Sequence, residues 1–141
     1  MELKHIKKKI DCLVRRFDTN CPFKIAKGLG IYIQYEHLGK ILGYYSKHYR
    51  IPIIHINESV GERQQLFICA HELGHAVLHP NENTPFLKKY TFFSTDCIEF
   101  EANVFAVELL FLRNNSDEVT SFHEAIEEYK IPKSFLNRLN S

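Results

Sequence analysis

The sequence lacks a strong net charge, which limits the partners it is expected to have. Its 18 Lys and Arg residues against 17 Asp and Glu residues leave a formal net charge of +1. A protein that grips phosphate backbones usually carries a marked positive field. The one basic cluster, residues 4–9, is typical of a solvated helix face. Direct nucleic-acid binding is therefore not expected.

Long apolar runs and paired cysteines are also missing. No window of about 18 consecutive apolar residues is present to span a bilayer, and residues 1–5 have no apolar run behind their charges. The cysteines include no C-x-x-C pair, so they fit neither a zinc-finger nor a thioredoxin pattern. We expect a cytoplasmic protein without membrane contact and with reduced thiols at Cys12, Cys21, Cys69 and Cys97.

What the sequence does contain is the composition of one ordinary globular domain. Its 141 residues are 45% hydrophobic and 25% charged, without repeats or Pro/Gly-rich linkers. Periodicity predicts an α+β fold with a small antiparallel sheet of about three strands and five or six helices. The predicted strands cover 30–35, 41–46 and 50–57. The predicted helices cover 3–17, 22 to 28 or 30, 60–78, 96–112, 117–129 and a segment after Pro132.

The clearest chemical motif is His71-Glu72-Leu73-Gly74-His75, an H-E-x-x-H pattern inside the longest helical stretch. Positions four apart on a helix lie ~40° apart and one turn along, so both imidazoles can reach a single ion. Zinc in a catalytic site takes three protein ligands and one water, whose pKa falls to about 7. We therefore predict one zinc per chain, with His71 and His75 as ligands and Glu72 as the base that accepts a proton from the water.

A third ligand is expected from the helix predicted over 96–112, where Glu99 and Glu101 compete. Helical phase places Glu99 on the inward face with two alanines, and it places Glu101 and Glu108 on the opposite, solvent-facing side. We therefore predict Glu99 as the third ligand. The alternative is that Glu99 completes a capping box whose N-cap residue is Asp96.

Two further residues are predicted to support the ligands rather than to touch the metal. Asn103 can accept a hydrogen bond from His71. His79 lies one turn beyond His75 and is a possible third imidazole ligand, but a histidine at a helix end before Pro80 commonly bonds exposed carbonyls. We place His79 beside the ligands at most. No substrate-binding residue is predicted, and the oxyanion-stabilising residue stays open among Tyr90, His123 and His48.

Three segments together, residues 67–75, Leu78-His79 and Glu99-x-x-Ala102-Asn103-x-Phe105-Ala106, resemble the ImmA/IrrE family of metallo-endopeptidases. The resemblance covers about residues 24–112. It implies a single zincin-like domain over 1–141 with the H-E-x-x-H helix at its core and a helical C-terminal extension over 113–141. Where the family pattern has a proline after its paired leucine, this chain has Phe111-Leu112-Arg113, so the helix is expected to end differently.

The resemblance also implies a substrate, a helix-turn-helix repressor that is cut to release genes of a phage, an integrative element or a stress response. The main alternative is a non-catalytic module that binds a repressor or antitoxin and uses zinc only to stabilise its fold. Glu72 argues against it, because a structural zinc site is closed by four protein ligands and needs no general base. Residues 125–136 loosely resemble a helix-turn-helix, but their charge is too weak to favour DNA binding. The oligomeric state is not predicted.

Overall fold

The computed structural model describes residues 3–89, 92, 94, 96–112, 132, 135 and 137. These residues form an α+β fold, as predicted. In chain order the elements are α1 (Leu3–Phe17), α2 (Pro22–Gly28), β1 (Tyr32–Glu36), β2 (Gly43–His48), β3 (Ile51–Asn57), α3 (Glu62–Leu78), α4 (Cys97–Val107) and a π-helical turn (Glu108–Leu112).

Four α-helices are therefore present in the described part of the chain, fewer than the five or six predicted. The helix predicted over 117–129, and most of the one predicted after Pro132, lie outside the described residues. The single domain over 1–141, its zincin-like character and the extension over 113–141 stay predictions. The helix predicted over 96–112 is α-helical only to Val107, after which the backbone adopts π-helical hydrogen bonding.

The sheet is mixed, so the prediction of an antiparallel sheet was wrong. Its strand order is β1-β3-β2, with β2 antiparallel to β3 but β1 parallel to β3. The chain leaves β1, crosses the end of β3 and returns as β2. The Asn57 side chain holds this crossing by donating hydrogen bonds to the backbone oxygens of Gly39 (3.0 Å) and Ile41 (2.9 Å). Strand periodicity gives no signal for such a connection.

A hydrogen-bond chain with one side chain from each strand ties the sheet together. The His55 Nδ1–H on β3 donates to Glu36 on β1 (3.0 Å), and His55 Nε2 accepts from the Ser46 hydroxyl on β2 (2.8 Å). Tyr44 covers the His55 ring in a stacked arrangement, with ring centroids 4.0 Å apart. The opposite face of the sheet carries the apolar side chains Ile54 and Ile56, which are fully buried.

Helix α3 lies at the centre of the core, as predicted. It contacts the sheet through β2 and β3 and packs against α4 and α2. Two glycines allow this close packing. A Cβ at Gly43 would lie 2.5 Å from Cγ2 of Ile68 and 2.7 Å from the carbonyl oxygen of His55, and a Cβ at Gly74 would lie 3.0 Å from Cβ of Phe105.

From Glu101 onward, helix α4 is buried on all sides rather than on one face. All residues from Glu101 to Leu109 are buried, so the prediction that Glu101 and Glu108 face solvent was wrong. The two carboxylates have partners instead: Glu101 contacts His79, and Glu108 forms an ion pair of 3.5 Å with Lys7 on α1. Helix α1 covers the side of α4 that phase alone assigns to water.

Among the described residues, no helix combines the length and the apolar character needed to cross a membrane.

Candidate metal site

Helix α3 carries the centre of the site in its most deeply buried stretch. His71, Glu72 and His75 are each 0% exposed. Each offers one donor atom, and these three atoms lie within 4.8 Å of one another. One helical turn separates the two imidazoles, so their rings converge at the same depth. The structure thus brings together the two predicted histidine ligands and the predicted base.

The carboxylate of Glu99 reaches this group from the first turn of α4. Its Oε1 lies 2.6 Å from Nε2 of His75 and 3.3 Å from Nε2 of His71. Asp96 is the N-cap of α4, since its side chain accepts from the backbone N–H of Ile98. The other half of a capping box would use the Asp96 backbone N–H, which donates to the Ser94 hydroxyl at 3.1 Å. Glu99 therefore points at the imidazoles, where the ligand prediction places it.

Each imidazole has a partner for its outer nitrogen. The Nδ1–H of His71 donates to Oδ1 of Asn103 at 2.8 Å, as predicted for this pair. Nδ1 of His75 lies 3.2 Å from Nδ1 of His79, and Nε2 of His79 lies 3.3 Å from Oε1 of Glu101. Outer partners of this kind fix the tautomer and the ring orientation of histidines that bind metals.

The carboxylate of Glu72 is enclosed without a partner. Neither of its oxygens has a hydrogen-bond partner among the described residues. Burial raises the pKa of Glu72 to about 8; the charge of Glu99 acts in the same direction and His71 opposes it. An unpaired carboxyl group in a dry interior is costly. A cation or water inside the site is the kind of partner that offsets this cost.

The pKa of Glu99, the other acidic group of the site, is shifted in the opposite direction. Burial alone would raise the pKa of Glu99, but hydrogen bonds with His71 and His75 and the charges of these imidazoles lower it to about 2. Burial lowers the pKa of His75, with the hydrogen bond to Glu99 opposing it. For His71, the hydrogen bond to Glu99 and the charges of Glu72 and Glu99 outweigh burial and raise its pKa. The two carboxylates are therefore electrostatically distinct.

The donor set fits zinc. Two imidazole nitrogens and one carboxylate oxygen match catalytic zinc sites, which leave the fourth position open. In a tetrahedral site with bonds of about 2.0–2.1 Å, donor atoms lie about 3.3 Å apart. The His71–Glu99 separation is 3.3 Å, and the His75–Glu99 separation of 2.6 Å would have to lengthen when a metal binds. In the neutral ring, the hydrogen bond from Nδ1 of His71 to Asn103 leaves the lone pair on Nε2, the nitrogen that a metal would bind. The unpartnered Glu72 carboxylate provides a place for a water.

The structure does not single out one of the three candidates for oxyanion stabilisation. Tyr90 and His123 lie outside the described residues. His48 is exposed at the end of β2 and borders a cleft of about 680 Å³ formed by β2 and the segment after α3. Its role stays a prediction.

The contact between Glu101 and His79 was not predicted from the sequence. One signal was present, because His79 beside a ligand histidine needs a partner for its own second nitrogen. Helical phase had placed Glu101 toward solvent, but α4 has no solvent-exposed side along this stretch.

Comparisons with known proteins identify the family. The IrrE N-terminal-like domain of the peptidase M78 family matches residues 26–136. The metallopeptidase ImmA of Bacillus subtilis (strain 168) is 31% identical over 134 residues, which are 94% of this chain and 78% of that protein. An uncharacterised immunity region protein 2 of Bacillus phage phi105 is 42% identical over 106 residues, 74% of this chain and 67% of that protein. The chain belongs to the ImmA/IrrE family of metallopeptidases.

Proposed function

We propose that this protein is a zinc-dependent endopeptidase that hydrolyses one peptide bond in a helix-turn-helix repressor. His71, His75 and Glu99 hold one zinc ion, and Glu72 is the general base. The observation that carries the proposal is the fully buried carboxylate of Glu72, which has no hydrogen-bond partner among the described residues and lies beside two convergent imidazoles. A structural zinc site needs no such group.

The residues of the site have two roles: three ligands hold the metal, and Glu72 transfers the proton. Zinc bound here supplies a Lewis acid that lowers the pKa of a water and polarises the scissile carbonyl. Glu72 accepts the proton of the attacking water and delivers it to the nitrogen of the leaving amine. Asn103 keeps the His71 ring in place through the 2.8 Å hydrogen bond.

The substrate proposal rests on the relatives. One is named a metallopeptidase and the other an immunity region protein of a phage. These two names together support a protease that acts on a regulator of phage genes, and a helix-turn-helix repressor is the substrate that the family resemblance implies. We propose that cutting the repressor derepresses genes of a mobile element or a stress response, and that the protein acts in the cytoplasm without contacting DNA.

The test is a cleavage assay with the repressor encoded beside the gene for this protein. Wild type and Glu72→Gln are incubated with the purified repressor, and fragments are followed by mass spectrometry. Glutamine has the shape of glutamate but cannot accept the proton, so the variant should keep zinc and repressor binding and lose cleavage by a factor on the order of 100 or more. A chelator should stop the wild-type reaction.

Glu62→Gln is the matched control for this assay. Glu62 lies on the same helix, in its exposed first turn, so its replacement should leave cleavage unchanged. If Glu72→Gln cuts as fast as wild type, Glu72 is not the base.

The second candidate is a non-catalytic module that binds the repressor. The same assay separates the two functions. Stoichiometric binding of the repressor by wild type, without cleavage under any metal condition, would favour the binding module over the enzyme.

A further inference from the structure

Helix α4 contacts three of the four nitrogens of the two imidazoles directly and the fourth through His79. Glu99 faces the two Nε2 atoms, and Asn103 accepts from Nδ1 of His71. The remaining nitrogen, Nδ1 of His75, reaches α4 through His79, whose Nε2 lies 3.3 Å from Oε1 of Glu101. Three polar residues at alternate positions of α4 thus contact the four nitrogens of the two ligand histidines, either directly or through His79.

Because each hydrogen bond needs one donor and one acceptor, these contacts determine the tautomer of His79 and, from it, the tautomer of His75. A carboxylate oxygen only accepts, so Nε2 of His79 must donate to Glu101. A neutral imidazole that donates from Nε2 can only accept at Nδ1, so Nδ1 of His75 must donate to His79. In the neutral imidazole that a metal ligand requires, Nε2 of His75 then keeps its lone pair for the metal.

We propose that Glu101 is a positioning residue for the metal site and that it acts through His79 on His75. Glu101 touches neither the metal position nor a reacting atom. It sets the hydrogen-bond direction of His79 and thereby the tautomer and ring orientation of His75. The inference rests on the proposed zinc site of His71, His75 and Glu99, and it assigns a role to a buried acid, 9% exposed, that the catalytic chemistry does not use.

Glu108 provides a matched control. It lies on the π-helical continuation of α4 and is 6% exposed. It forms an ion pair with Lys7 on α1. Removing either carboxylate takes away a buried acid, but only Glu101 belongs to the chain that reaches His75.

The experiment measures zinc affinity by competition with a chromophoric chelator, using the full chain. Glu101→Ala should weaken zinc binding about 10–100-fold, the usual effect of losing an outer hydrogen-bond partner. Glu101→Gln should recover most of this loss, because its amide oxygen can still accept from His79. Glu108→Ala should bind zinc within about threefold of wild type, even if it unfolds at a lower temperature.

A double-variant cycle tests whether Glu101 acts through His79. His79→Leu should weaken zinc binding about as much as Glu101→Ala, and the double variant should lose no more than either single one. Independent, multiplying losses would overturn the proposal. So would equal losses in Glu101→Ala and Glu108→Ala.

Nitrogen NMR of the imidazoles supplies a readout that general destabilisation does not move. Zinc-free wild type should give a His75 ring protonated at Nδ1, and this signature should weaken in zinc-free Glu101→Ala and return in zinc-free Glu101→Gln. An unchanged His75 signal in Glu101→Ala would overturn the positioning role. If wild type itself binds no zinc, the proposed function fails; if wild type binds zinc and cuts while Glu101→Ala matches it, only the role of Glu101 fails.

Discussion

At the scale of single residues, two roles are open to Glu99: it can be a metal ligand or part of a helix cap. Its Oε1 contacts both imidazoles, and those contacts lower its pKa to about 2. The Asp96 N–H, which a capping box would use, is bonded to Ser94. The geometry therefore favours the ligand role.

Glu99→Gln separates the two roles. Glutamine can serve in a capping box as well as glutamate, but its neutral amide is a poor zinc ligand. We expect zinc affinity to fall more than about 100-fold, beyond the usual effect of losing an outer partner. Isothermal titration with zinc and thermal unfolding of the metal-free protein measure the two effects. A variant that binds zinc like wild type would assign Glu99 to the cap.

At the scale of the elements, the position of β2 against α3 depends on Gly43. A side chain there would meet the backbone oxygen of His55 at 2.7 Å and Ile68 at 2.5 Å. A backbone oxygen inside a sheet cannot move aside without disturbing the strand pairing. The sheet therefore approaches α3 as closely as it does only because this position lacks a Cβ.

Gly43→Ala should consequently destabilise the fold by about 1–3 kcal/mol through overpacking. Urea unfolding monitored by circular dichroism measures the change. Gly61→Ser is the control, because nothing lies within 4 Å of a Cβ there, and serine at this N-cap should leave stability unchanged or raise it by a few tenths of a kcal/mol. Equal stability of Gly43→Ala and wild type would mean that β2 can shift away from α3 at no cost.

The sequence predicted the elements better than their arrangement. Strong local signals located α3 and the start of α4, since the apolar run around His71 and the cap at Asp96 act within one segment. The direction of β1 depends on the crossing held by Asn57, a long-range contact that strand periodicity does not encode. The burial of Glu101 depends on which elements surround α4, so helical phase alone assigned it to solvent.

At the scale of the whole molecule, the candidate metal site links α3 to α4. Its four central groups come from these two helices, which pack directly against each other. The carboxylate of Glu72 is enclosed and has no hydrogen-bond partner among the described residues. A bound ion that prefers the folded state stabilises it by mass action. Metal binding and folding should therefore be coupled.

Chelation of the metal should lower the thermal unfolding midpoint. At a free zinc concentration about 100 times the dissociation constant the stabilisation is about 2.7 kcal/mol, which corresponds to about 5–10 °C for a domain of this size. Differential scanning calorimetry with and without chelator measures this shift. His75→Ala should show no chelator effect, and a wild type that unfolds at the same temperature in both conditions would contradict the coupling.

The zinc content of the purified protein tests the central claim most directly. Wild type purified without added metal, and His75→Ala prepared in the same way, are compared by elemental analysis. We expect close to one zinc per chain in wild type and a small fraction of that in the variant, because one imidazole and one carboxylate cannot replace the three-ligand site. Wild type that neither contains zinc nor takes it up on addition, or a His75→Ala variant that retains the full content, would contradict the account.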